Sequence, residues 1–346
     1  MKYFFTKYRF FLSGAALILT AASCTSTLSD EPATDARAIS FTPAAETRAA
    51  VEKDFPDGSS FSVWGWYGTT GSSTIDKTVF NNIPVTKSGE AWTYTGGTQY
   101  WIPGMTYNFY GVYPANVGSC KADGTINVTD FDCSATGDAA VDLMTATAQG
   151  DGSNPAPVAM QFKHTLTRIT FSAKLADGLD TGYSLQVKEI ALWASNKGNM
   201  TQTADGTIQW ETEPYLTAGE DESDIVNNKY NAYLYRLTTD NGELQRPSIT
   251  TGNAVLLNVQ GKGDLLVIPQ EMNYTRPVLA INYTLSYGGS TTSPIWKVYP
   301  LKGNTDWTPG TSLNYTFTID EDNAYFIVSV GDWIDGNSGN EDIVFE

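Results

Sequence analysis

Along most of the chain apolar and polar residues alternate with a period of two. Ile169-Thr170-Phe171-Ser172-Ala173-Lys174-Leu175 places its apolar residues at odd positions, which predicts a strand with one buried face. Phe61-Ser62-Val63-Trp64-Gly65-Trp66-Tyr67 predicts another strand. The run Leu185-Gln186-Val187-Lys188-Glu189-Ile190-Ala191-Leu192 begins in the same way but changes phase at Glu189, as one extra residue in a β-bulge would cause. Between such runs lie Val117-Gly118-Ser119, Ala122-Asp123-Gly124, Ala204-Asp205-Gly206 and Tyr287-Gly288-Gly289, residue types that supply the positive φ of tight hairpins. No stretch keeps a 3.6-residue period long enough to predict a helix. Many short, turn-punctuated strands predict an all-β chain of sandwich or barrel type.

One pattern occurs twice. Trp101-Ile102-Pro103-Gly104-Met105-Thr106-Tyr107-Asn108-Phe109 and Trp307-Thr308-Pro309-Gly310-Thr311-Ser312-Leu313-Asn314-Tyr315 share W-x-P-G-x-x-[YL]-N-[FY]. Pro-Gly favours a type II turn, after which the aromatic of the next strand can pack inward. The echo and a length of 346 residues together predict two related β-sandwich domains, since domains average about 150 residues. The linker-like segment Gly150-Asp151-Gly152-Ser153-Asn154-Pro155-Ala156-Pro157 sets the boundary, giving domains 49–150 and 151–346.

The first residues read as an export signal. Lys2, Lys7 and Arg9 precede an apolar run from Phe10 to Ala22, a secretory signal peptide over residues 1–23. That run is too short to cross a bilayer, which takes roughly 20 apolar residues. It ends in Ala21-Ala22-Ser23-Cys24, which resembles the lipobox of bacterial lipoproteins. Cys24 is therefore the expected lipidation site, carrying palmitate or a similar acyl chain on the cell outer membrane. An ordinary secretory signal cut near Ala22 is the alternative. Thr25 to Pro32 reads as a polar tether, and its Ser29-Asp30-Glu31 resembles the acidic export tags of surface lipoproteins. Apart from Cys24, the cysteines are Cys120 and Cys133. Outside the cytoplasm they either pair as a disulfide or stay as two half-buried free thiols.

Charge and chemistry narrow the function. The chain has 21 basic and 38 acidic residues, a net charge of −17, which disfavours nucleic acid as a partner and leaves membrane attachment to the lipid. His164 is the one histidine, which rules out a multi-histidine metal site and leaves a Ser-His-Asp triad no other base. No carboxylate spacing singles out a glycosidase pair. The acidic stretches Glu220 to Asp224 and Asp332 to Asp342 lack the EF-hand spacing and read as solvated loops. No enzyme activity, metal or cofactor is expected. Trp64 and Trp66 lie on one face of their strand and are either a core pair or a sugar-stacking platform; the core reading is favoured because large aromatics fill sandwich interiors.

Several motifs follow one another along nearly the whole chain: the lipobox, an early strand before Thr47-Arg48-Ala49, Asp142-Leu143-Met144, Phe162-Lys163-His164-Thr165-Leu166, Leu266-Val267-Ile268-Pro269-Gln270, the Trp307-Pro309-Gly310 turn, and Val330-Gly331-Asp332-Trp333. In that order they resemble the fimbrillin-like proteins, the shaft, anchor or tip subunits of type V pili of Gram-negative anaerobes. The resemblance implies two transthyretin-like β-sandwich domains in tandem and a subunit that travels as a lipoprotein. It further implies that a trypsin-like protease cuts between Arg48 and Ala49, removing residues 24–48 with the alternating strand Ala38-Ile39-Ser40-Phe41-Thr42. Cutting at Arg37 would leave that strand in place. A strand of a neighbouring subunit then fills the vacated groove, satisfying open backbone groups while alternate side chains occupy apolar pockets. Donor candidates are Ala324 to Val330 and the tail Glu341 to Glu346, where Ile343 and Phe345 share a face. Implied partners are other pilus subunits and a host protein or glycan. The competing expectation is a non-polymerising surface lipoprotein that binds glycan.

Overall fold

The computed structural model describes residues 37–45, 55–212, 234–250, 252–259, 262–301, 303–332 and 343–345. The strands of its first half are β1 (Phe41–Ala45), β2 (Ser60–Thr69), β3 (Lys77–Ser88), β4 (Ala91–Tyr94), β5 (Met105–Tyr113), β6 (Ser119–Cys120), β7 (Ile126–Asp132), β8 (Met144–Asp151) and β9 (Val158–His164). Next come β10 (Thr167–Leu175), β11 (Ser184–Trp193), β12 (Lys197–Gln202), β13 (Ile208–Thr212), β14 (Leu234–Thr238), β15 (Val255–Leu256) and β16 (Leu265–Val267). The last are β17 (Val278–Tyr287), β18 (Ser290–Thr291), β19 (Ile295–Pro300), β20 (Thr311–Ile319), β21 (Ala324–Asp332) and β22 (Ile343–Phe345). Among the described residues the helical content is one turn, α1 (Met272–Thr275), and a 3-10 turn over Gly137–Ala139, in keeping with the period-two pattern.

Four sheets result. The first has the order β1-β9-β8-β5-β2-β3-β4, and the second runs β15-β10-β20-β21-β22 with β16 also on β10. The third is β14-β11-β17-β18 with β19 on β17, and the fourth is β13-β12-β7-β6. The register of β11 against β17 slips between Val187 and Glu189, so the phase change in the sequence is a bulge. Gly124, Gly206, Gly288 and Gly289 take positive φ, whereas Gly118 does not.

Both Trp-x-Pro-Gly turns have the same construction. Gly104 (φ 76°) and Gly310 (φ 69°) occupy the left-handed region that a type II turn needs at its third residue. The tryptophan ahead of each turn folds back on the strand after it: Trp101 lies edge-on to Tyr107 at 4.8 Å, and Trp307 Nε1 donates to the Tyr315 hydroxyl at 3.0 Å.

Two expectations change. The Gly150–Pro157 segment, expected as the linker between residues 49–150 and 151–346, joins β8 to β9, neighbours in the first sheet. Strands from either side of it also share the fourth sheet, where β7 pairs with β12. Gly and Pro mark a sharp connection equally well inside a sheet and between domains. The second change concerns β10, which is central and therefore covered on both faces. Thr170 and Ser172 are buried with the apolar residues and satisfied, Thr170 by the Leu313 carbonyl and Ser172 by the Asn314 amide.

Apolar side chains form two large clusters. One lies inside the first sheet and contains Phe61, Val63, Phe80, Phe109, Met160 and Phe162. The other begins on the opposite face of that sheet with Trp64, Trp66 and Val112, and continues through Val128 and Met200 to Ile169, Leu192 and Phe317. At β2 the first sheet is thus covered on both faces, which is why the strand is buried at nearly every position, Ser62 included.

Candidate strand-exchange groove

Residues 37–45 are built into the first sheet. β1 runs parallel to β9, with Phe41 opposite Val158 and Pro43 opposite Met160. Period two sends Ile39 and Phe41 inward, 2 % and 3 % exposed, while Ser40, Thr42 and Ala44 face outward. Pro43, with no N–H to donate, suits a sheet edge. The segment is held along both sides. On one, Val158 N donates to Ser40 O at 2.8 Å. On the other, Ile39 N donates to Gln99 O at 2.8 Å and Trp101 N to Arg37 O at 2.9 Å, while the Arg37 guanidinium donates to the Trp101 carbonyl.

The seat of Phe41 is aromatic. Its ring meets Phe80 at 5.4 Å, Phe109 at 5.8 Å, Tyr94 at 6.0 Å and Phe61 at 6.1 Å, all edge to face, the arrangement that ring quadrupoles favour. Tyr94 also donates its hydroxyl to Ile39 O at 3.0 Å and accepts from Gln99 N at 3.1 Å. Burial raises the pKa of this phenol, so it stays protonated and able to donate. Tyr94 belongs to β4 and Ile39 leads into β1, the two ends of the strand order. The sheet therefore curls until its ends meet, and residues 37–45 close the seam. Without them, β9 and residues 99–101 would present unpaired backbone beside an open aromatic slot.

The other sequence-derived sites are placed as follows. Cys24, Arg48 and Ala49 lie outside the described residues, as do the acidic stretch 220–224 and residues 333–342 of the second. Cys120 and Cys133 are free thiols in this structure, the first half-buried and the second buried. Cys133 is enclosed, with Sγ 3.1 Å from the Tyr235 hydroxyl and 3.5 Å from Asn196 O, and burial pushes its pKa up to about 12. His164 Nδ1 sits 2.7 Å from Asp142 Oδ2 where β9 leaves for β10, a pairing between two of the quoted motifs. Trp64 and Trp66 are 2 % and 7 % exposed; they are the core pair, and no platform exists there. Ala324 to Val330 lies within β21, flanked by β20 and β22, whereas β22 forms the edge of its sheet. Sequence reasoning missed Tyr94 and residues 99–101 as the second wall of the seam, because nothing local in Trp92-Thr93-Tyr94 marks a long-range partner.

The family model for fimbrillin-like proteins matches residues 47–333. The chain belongs to the fimbrillin-like family. Its fold is shared with a fimbrial protein from Bacteroides vulgatus, at TM-score 0.57 and 18 % identity, covering 86 % of this chain and 99 % of that one. Weaker likenesses include a candidate cell adhesion protein from Bacteroides uniformis, at TM-score 0.46 and 16 % identity over 86 % of this chain and 100 % of that one. Another fimbrial protein, from Bacteroides ovatus, gives TM-score 0.36 and 15 % identity over 82 % of this chain and 48 % of that one. No curated protein matches the sequence. Membership makes this fimbrillin a cell-surface protein of fimbrial, adhesive type. Among the described residues no helix is long and apolar enough to span a membrane.

Proposed function

We propose that this fimbrillin is a pilus subunit, exported as a lipoprotein acylated at Cys24 and delivered to the outer membrane, in which residues 37–45 are a removable plug. Cleavage between Arg48 and Ala49 severs the plug from the body, and a strand of the next subunit replaces it. The observation that carries this reading is the seat of Phe41: a short segment near the start of the chain closes the seam of a sheet. Fully burying a side chain of this size is worth about 1.5–3 kcal/mol, so the slot exposes a strong apolar site as soon as the plug leaves.

The tail supplies a matching donor. Ile343-Val344-Phe345 repeats the Ile39-Ser40-Phe41 spacing of an aliphatic and an aromatic residue on one face, and β22 is an edge strand paired on one side to β21. Arg37 is guarded while the plug is seated, since its carbonyl and guanidinium both engage Trp101 and proteases require a free extended segment. The glycan-binding, non-polymerising alternative loses its proposed platform with the burial of Trp64 and Trp66.

N-terminal sequencing of assembled surface material tests the proposal. The expected sequence begins at Ala49, in a ladder that survives SDS without heating. Assembled ladders whose subunits all begin at Cys24 would overturn it.

A further inference from the structure

At the far end of the second and third sheets, three strand connections meet: residues 176–183 between β10 and β11, the β17–β18 hairpin, and residues 320–323 between β20 and β21. Tyr183 packs on the large core cluster. Tyr287 lies over it, with ring centroids 4.4 Å apart and planes 24° from parallel. A Cβ at position 182 would stand 2.8 Å from Tyr287 Cε2, so Gly182 is what lets the outer ring lie down. A carboxylate fixes the outer ring. The Tyr287 hydroxyl donates to Asp180 Oδ2 at 2.8 Å and Asp180 Oδ1 accepts from Gly182 N at 3.3 Å, while the Glu321 carboxylate near Tyr183 raises the pKa of that phenol. Although Tyr183 covers one of its faces, Tyr287 remains 46 % exposed, which leaves its outer face open to solvent.

We propose that the outer face of Tyr287, flanked by Asp180 and Glu321, is a binding site for a neutral pyranoside sugar. A flat, electron-rich ring receives the C–H face of a pyranose, and carboxylate oxygens accept the hydrogen bonds that sugar hydroxyls donate. A tyrosine ring stacked on Tyr183 offers rigid contact area at low entropic cost, and loops at one end of a β-sandwich are where such sites are borne.

The surroundings disfavour anionic ligands. Asp177, Asp180, Asp320, Glu321 and Asp322 lie on these three connections and outnumber the nearby Lys297, whose Nζ donates to Asp322 O. Among the described residues no set of three or more acidic, histidine or cysteine side chains is arranged to hold a metal ion, so these carboxylates do not form a metal site. Two stacked rings also lack the second wall with which an aromatic cage encloses an ammonium group.

Saturation-transfer NMR on the full chain provides the test. The probes are methyl β-D-galactopyranoside, methyl β-D-glucopyranoside, methyl α-D-mannopyranoside and N-acetyl-D-glucosamine at millimolar concentration, with N-acetylneuraminic acid as the anionic control. At least one neutral sugar should bind and shift the Tyr287 ring resonances. Tyr287→Ala should weaken that sugar by at least about tenfold, and Tyr287→Phe, which keeps the ring, by no more than roughly twofold. Circular dichroism verifies that each variant is folded. The proposal fails if no neutral sugar binds, if binding leaves the Tyr287 ring unshifted or survives in Tyr287→Ala, or if the anionic sugar binds equally well. Neither cleavage nor assembly enters the measurement, so its outcome is independent of the plug reading.

Discussion

Phe41 is central to the seam, because its ring meets four others where the sheet closes. Phe41→Ala should lower unfolding stability by about 3 kcal/mol, the lower end for a buried phenylalanine, read as a fall in the urea midpoint. Tyr94→Phe keeps the ring and removes both the donation to Ile39 O and the acceptance from Gln99 N; about 1–2 kcal/mol should be lost, measured in the same way. Cys133 makes a pH prediction. Its folded pKa, about 12, lies above the unfolded value, so the protonated thiol favours the folded state. The stabilisation is complete below about pH 8.5 and is lost as pH rises from there through about 12. Cys133→Ser titrated against the parent by urea unfolding should flatten that alkaline decline. In the folded chain at pH 8 Cys133 should resist a water-soluble disulfide reagent until denaturant is added.

At the scale of elements, the proposed plug makes β1 a covalently attached ligand whose removal and replacement can be measured. A chain starting at Ala49 should form higher oligomers on size exclusion, and a synthetic peptide of residues 38–45 added in trans should hold it monomeric. The same peptide with Phe41→Asp should not, because burying that carboxylate among four rings is strongly unfavourable. Replacing Ile343 and Phe345 by Asp should leave a subunit that accepts a donor strand but cannot act as one, so that it terminates chains. The bulge at Lys188 was legible from Leu185 to Leu192, since a phase slip in a period-two pattern has few other causes. The parallel pairing of β1 with β9 was not legible, because the partners are far apart in sequence and five residues of alternation carry no address.

Across the whole molecule, the second apolar cluster does not respect the expected halves. Trp64 and Trp66 of β2 pack into the same cluster as Phe171 and Phe317, and β7 hydrogen-bonds to β12. Shared core and shared sheet couple the two parts energetically, so calorimetry should find one cooperative transition with matching calorimetric and van't Hoff enthalpies. Two separate transitions would show that the shared cluster contributes little. The sugar site predicted at Tyr287 belongs to this scale as well, since three connections far apart in sequence build it. Its position among strands outside the first sheet means that adhesion there would not compete with strand exchange in the groove.

Sequence alone determined the all-β class, the bulge, the two Trp-x-Pro-Gly turns and the family, because each depends on local periodicity, on the φ that Gly permits, or on motifs in a fixed order. It also marked Ile39 and Phe41 as one face of an early strand. Only the tertiary structure decided that this face closes a seam between β9 and residues 99–101, that Gly150–Pro157 turns within a sheet, that Trp64 and Trp66 are core, and that Cys133 stands beside Tyr235 and not Cys120. These outcomes depend on which distant surfaces meet. Alternation specifies that a face is to be buried, whereas the partner is selected by packing and by the pairing of every backbone group along a long-range edge.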